Sequence, residues 1–150
     1  MANKRQLTTL GWREWVSLPD LGLPHIKAKV DTGARTSAIH AFALKTYEKN
    51  GRSRVEFQMH PNQRDTDTVV VCDAAVIDRR VVTDSGGHKE ERLVIETTLR
   101  IGGHELPIEA TLTARDNMLF RMLIGRTAMK GRFVVNPGRS YVVGKPPGEE

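Results

Sequence analysis

Nine short runs rich in β-branched and aliphatic residues, set apart by turn clusters, restrict this chain to a β architecture. They are EWVSL (14–18), HIKAKVD (25–31), RVEFQMH (54–60), TVVVCDAAVID (68–78), ERLVIETTLRI (91–101), HELPIEATLTA (104–114), MLI (122–124), RFVVN (132–136) and SYVVG (140–144). Turn chemistry separates them at GLP (22–24), KNGR (49–52), DSGG (84–87), IGGHE (101–105) and NPGR (136–139). Helical signal is confined to two short stretches, 37–44 and 127–130, so the expected fold is all-β, a closed barrel or folded sheet with one or two short helices. A length of 150 residues fits one domain, spanning 1–150 with a loose tail at 144–150. No apolar run approaches the roughly 18 residues of a membrane span, and the N-terminal stretch has no apolar core or cleavage site for export. A cytoplasmic protein without membrane contact is expected. Cys72, the single cysteine, sits in an apolar run, which excludes an internal disulfide and predicts a buried thiol.

The chemistry concentrates where HIKAKV runs into Asp31-Thr32-Gly33-Ala34. An apolar strand leading into Asp-Thr-Gly-Ala is the pattern of an aspartic-peptidase half-site. Asp31 would supply one carboxylate of a dyad, Thr32 a hydroxyl tying two loops together, and Gly33 a tight turn with an amide near the carboxylate. Ala34 is small where substrate must pass. Two such carboxylates a few ångströms apart share one proton and activate a water. Asp-Thr-Gly also occurs in ordinary turns, but here a second signal lies downstream: FRMLIGRTAMKG (120–131), an apolar strand running into Gly125 and Arg126.

Both motifs, with flanking stretches from GWREWVSLPDLGL through IKAKVDTGARTSAIHA to LTARDNMLFRMLIGRTAMKGRFVVNP, resemble the bacterial retropepsin-like peptidases, specifically the RimB group. The resemblance implies a retropepsin-like β-barrel of the acid-protease fold, working as a homodimer in which the second Asp31 comes from the partner chain. In that group the Gly-Arg motif buttresses the catalytic loop. Members are linked to a ligase that adds glutamates to the tail of a small-subunit ribosomal protein, so the implied function is an aspartic endopeptidase cleaving acidic, poly-glutamate tails. The alternative is a basic module without catalysis that docks on ribosome or nucleic acid. Eight aromatic residues in all (two Trp, two Tyr, four Phe) make nucleic acid a poor partner except through the ribosome. No cofactor is expected. The group's historical label of ATP-dependent zinc protease finds no HExxH and no phosphate loop here, and His25, His40, His60, His88 and His104 lack metal-ligand spacing.

The formal charge of +5 is concentrated late: residues 115–145 carry seven basic residues against one acidic, Asp116. Arg35 follows the DTGA motif where retroviral relatives place an aspartate. Arg35 and Arg126 are therefore expected to meet without a counter-ion, leaving two readings: a substrate carboxylate bridges them, or Asp116 or Glu14 neutralises them. Arg115, Arg121 and Lys89 are further candidates for a cationic cleft. Asp84-Ser85-Gly86 is read as a hairpin tip rather than a second dyad motif. Ser85, Gly86, Gly87, His88 and Lys89 would form either a flap over the substrate or an idle surface hairpin.

Overall fold

A computed structural model describes residues 6–83, 85–114 and 119–144. Five strands form along the first part of the chain: β1 (Thr8–Leu10), β2 (Arg13–Leu18), β3 (Leu23–Val30), β4 (Ser37–His40) and β5 (Phe42–Lys49). They are followed by β6 (Arg52–Met59), β7 (Val70–Thr83), β8 (Lys89–Ile101), β9 (His104–Thr113) and β10 (Met122–Ile124). Helix α1 (Arg126–Met129) and strand β11 (Phe133–Val135) close the described chain, and a single 3-10 turn covers Pro19–Leu21. The fold is all-β, as the turn-punctuated pattern predicts.

Six strands close on themselves. The order β2-β3-β10-β4-β9-β8 returns to β2 through the Ser17–Arg100 pairing, so that stretch of sheet has no free edge. The rest of the sheet, β7-β6-β5, extends from β8 as a wing, while β1 and β11 pair separately in parallel. Alternation drives the closure: in β2 the residues Glu14, Val16 and Leu18 turn inward while Arg13, Trp15 and Ser17 are only partly covered. With Leu23, Ile26, Ile39, Leu99, Ile101 and Met122 the inward residues fill a core at or near zero exposure. Cys72, on β7 of the wing, is buried, and desolvation pushes its thiol up to about 11. No described helix is long and apolar enough to cross a membrane.

Three local expectations need correction. The stretch 37–44 is not helical: Ser37–His40 form β4, whose four residues are all buried, parallel to β9 and antiparallel to β10. Ladder bonds on both sides outweigh a weak local preference. The run 140–144 is not a strand, because its amides turn onto the Glu14 carboxylate instead of a neighbouring ladder. Gly144, expected to open a loose tail, is one of those anchored residues. The run 68–78 is part of a longer strand, β7, which continues to Thr83. The second expected helix is present as α1, one residue earlier than its signal.

Candidate functional site

Strand β3 ends at Val30, which pairs in parallel with Ile124 at the end of β10, so two chain segments leave the barrel side by side. Asp31 follows at once, its N–H donating to the Ile124 carbonyl (2.9 Å). The chain then turns: the Ala34 N–H reaches the Asp31 carbonyl (3.2 Å), and Asp31 Oδ1 accepts the Gly33 N–H (3.0 Å). An aspartate opening a turn by bonding an amide two residues on is the expected behaviour of this side chain.

The downstream motif locks that turn. Gly125 donates its N–H to Ser37 Oγ (3.1 Å), Arg126 N–H to the Ala34 carbonyl (2.8 Å) and Thr127 N–H to the Arg35 carbonyl (3.0 Å). The Arg126 guanidinium then spans the loop, Nη1 donating to the Thr32 carbonyl (3.1 Å). Gly125 must be glycine for steric reasons. A Cβ there would lie 2.5 Å from the Thr36 carbonyl carbon and 2.8 Å from the Ser37 nitrogen. The buttress expected of Gly-Arg is thus in place, and it is the Thr32 carbonyl that joins the two loops. Ser37 was not anticipated: its buried hydroxyl is the acceptor that seats Gly125, a role that nothing in a short Thr-Ser-Ala run signals.

Over this platform lies a groove of about 690 Å3. Asp31, Gly33, Ala34 and Arg35 line one side, and β7 supplies Arg80 to Thr83 on the other. Arg92, Thr111 and Thr113 join Ala38 and Leu123 in the same lining. A neighbouring cavity of about 370 Å3 shares Arg35, Thr36 and Arg80 and continues toward Pro107 and α1. Of the hairpin tip, Ser85 reaches the groove; Gly86, Gly87, His88 and Lys89 are not in its lining. Asp84 lies outside the described residues.

The cations sort into distinct roles. Arg126 is held by the Thr32 carbonyl, and the cations in the groove lining are Arg35, Arg80 and Arg92. Arg80 is paired with Asp78 (2.8 Å) and Glu109 (3.0 Å). Arg92, nine-tenths buried, donates through Nε to Glu90 (3.0 Å) and through Nη1 to Thr111 Oγ1 (3.3 Å). Arg35 is exposed, and no carboxylate among the described residues lies within ion-pair distance of it. Glu14 does not neutralise it, being fully buried under backbone amides; Asp116 and Arg115 lie outside the described residues. Arg121 is buried and directed to the Asn62 carbonyl (3.5 Å), outside the groove lining. Neither Arg80 nor Arg92 was singled out from the sequence.

The profile of the RimB-like family, described as retropepsin-like aspartic endopeptidase RimB, matches residues 9–146. The chain belongs to this family. Curated relatives of the RimB-like chain include a protein of Shewanella halifaxensis (strain HAW-EB4), 43% identical over 91% of this chain, and one of Desulfotalea psychrophila (strain LSv54 / DSM 12343), 45% identical over 91%. Both are named "Probable alpha-L-glutamate ligase", and this chain spans about 30% of the length of each. The crystal structure of Lpg0085 from Legionella pneumophila, titled as a protein of unknown function (DUF785), superposes with a TM-score of 0.78 at 22% identity, covering 92% of this chain and 99% of that one. That likeness shows the fold alone.

These relatives overturn the expected activity. An aspartic endopeptidase, a hydrolase, was expected of the DTGA motif; the curated relatives matched over nine-tenths of the chain are named for making a glutamyl bond. The alternative of a ribosome- or nucleic-acid-docking module is corrected by the same finding. The physical reason lies in what the motif encodes. The motif of one chain fixes where a single carboxylate, Asp31, stands, and a turn of that shape does not by itself set the reaction. The Asp-Thr-Gly-Ala and Gly-Arg pair specifies a braced turn.

Proposed function

We propose that this chain is the glutamate-recognising part of an α-L-glutamate ligation system, holding an acidic polypeptide tail in the groove beside Asp31. Of the three guanidinium groups in the lining, Arg80 is paired with Asp78 and Glu109 and Arg92 with Glu90, while Arg35 stands exposed without a described ion-pair partner. That unpartnered arginine is the observation that carries the reading, since a guanidinium grips a carboxylate through paired N–H donors. Asp31 complements it: Oδ1 is committed to Gly33, which leaves Oδ2 to accept an N–H from the tail's backbone. Activation of a carboxylate for ligation requires a nucleotide-binding apparatus, and this sequence has no phosphate loop. The bond-forming step is therefore assigned to the part of the longer relatives that this chain does not match.

Fluorescence anisotropy with peptides of equal length ending in glutamates or in glutamines tests the reading. The glutamate tail is expected to bind at least tenfold more tightly. Arg35→Ala is expected to cost about 1.5–3 kcal/mol, or roughly 10- to 150-fold in Kd, the range for a hydrogen bond to a charged group. In a ligation assay with a glutamate ligase supplied in trans, the chain is expected to lower KM for the glutamate-tailed acceptor. Equal affinity for the two tails, or an unmoved KM, overturns the proposal.

A further inference from the structure

Arg92 differs from every other cation of the groove in being buried and pinned, and we infer that it makes the groove selective for glutamate over aspartate. The inference rests on the reading of the groove as a site for acidic tails. In the β7–β8 ladder Arg80 and Arg92 are direct cross-strand partners, so their side chains share a face and repel. Arg80 relieves this with two carboxylates, Asp78 and Glu109. Arg92 is fixed by two groups: Glu90 on its own strand β8, which also accepts the Thr113 hydroxyl (3.1 Å), and Thr111 on the adjoining β9, whose Oγ1 in turn reaches the Ser37 carbonyl (3.4 Å). Through Ser37 and its bond to Gly125 the arginine is tied to the same brace that shapes the Asp31 turn.

A guanidinium has five N–H donors. Nε and one donor on Nη1 are engaged, and Nη2 has no partner among the described residues although the side chain lines the cavity. The free end of the fork is thus held in a low-dielectric floor where a charge-assisted bond is strong and an absent one is costly. The same lining holds apolar Ala38, Leu123 and Val82 among the polar Thr83, Thr111 and Thr113. An anion carried on a short aliphatic stem suits this floor. Glutamate has such a stem, its two methylenes lying along those apolar side chains while the carboxylate meets Nη2. Aspartate, one methylene shorter, can satisfy the solvated Arg35 at the rim but leaves Arg92 unanswered.

The test extends the peptide set to glutamate, aspartate and glutamine tails of equal length, titrated against the wild-type chain, Arg92→Gln and Arg35→Ala by fluorescence anisotropy. Wild type is expected to favour glutamate over aspartate by about tenfold or more, the effect of one methylene in a shaped pocket. Arg92→Gln is expected to bring that ratio to about one while glutamate remains preferred over glutamine through Arg35. Arg35→Ala is expected to weaken both acidic tails and keep their ratio. Should Arg92→Gln lose its near-ultraviolet dichroism, Thr111→Val replaces it, keeping the arginine but removing its Nη1 acceptor, and an unchanged ratio in that variant overturns the inference. Equal wild-type affinity for glutamate and aspartate tails also overturns it and leaves the acidic-tail reading standing. Failure of that reading is seen separately, as no preference for glutamate over glutamine.

Discussion

Replacing Glu14 by glutamine isolates what holds the last described segment against the barrel. Glu14 is fully buried in β2, and its carboxylate accepts four backbone N–H groups: Gly11 (2.7 Å) and Val142 (2.9 Å) on Oε2, Val143 (3.2 Å) and Gly144 (3.0 Å) on Oε1. The segment runs so close that a Cβ on Gly144 would stand 2.0 Å from the Trp15 carbonyl oxygen. No other side chain can enter there to replace the acceptor. Glutamine keeps the shape but turns one oxygen into an amide donor, so two of the four N–H groups face a donor and lose their partner. At about 1–3 kcal/mol for each orphaned buried donor the loss is roughly 2–6 kcal/mol, reduced because the neutral side chain is less costly to bury than a carboxylate. A net loss of about 3 kcal/mol is expected. With a urea m-value of about 1–3 kcal/mol/M for a small domain, the midpoint shifts down by about 1–3 M at unchanged slope. Trp12 and Trp15 flank the site and report the transition by fluorescence, while hydrogen exchange of the Val142, Val143 and Gly144 amides reads the local effect. A stability change below about 0.5 kcal/mol with those amides still protected would refute the claim that the carboxylate organises the segment.

Gly125→Ala places a methyl group against the backbone at Thr36 and Ser37, which cannot step aside as a flexible side chain would. A loss of about 1–3 kcal/mol or more in thermal or urea unfolding, with weaker tail binding as the Arg126 brace shifts, is expected; wild-type stability would show that the brace is pliant. Asp65 is held down to about 2 by hydrogen bonds from the Thr68 hydroxyl, the Asp67 and Thr68 amides and the Asn62 side chain. Because the folded value lies below the ordinary 3.8, its contribution is present above pH 4 and lost as pH falls through about 2, so the Asp67 and Thr68 amide shifts are expected to titrate near 2; a midpoint near 3.8 refutes the assignment.

The parts of the molecule that were legible in its sequence are those whose cause is local. Alternation in β2 and in β9 follows from one face meeting the core, and Asp31-Thr32-Gly33-Ala34 is a turn whose hydrogen bonds close within four residues. Strand β5 was missed because seven of its eight residues are exposed, so no alternation marks it, and β4 because all four of its residues are buried. What makes β4 a strand is Ala38 meeting Thr111 on one side and Leu123 on the other, partners far away in the chain. The floor of the groove follows the same rule. Arg80 and Arg92 sit in unremarkable mixed-charge stretches, IDRRVV and KEERLV, and only the β7–β8 register sets them side by side. A motif could therefore locate the groove but not its chemistry. The braced turn at Asp31 fixes where a carboxylate stands, while the reaction depends on the groups that long-range pairing places around it, and here those groups are guanidiniums.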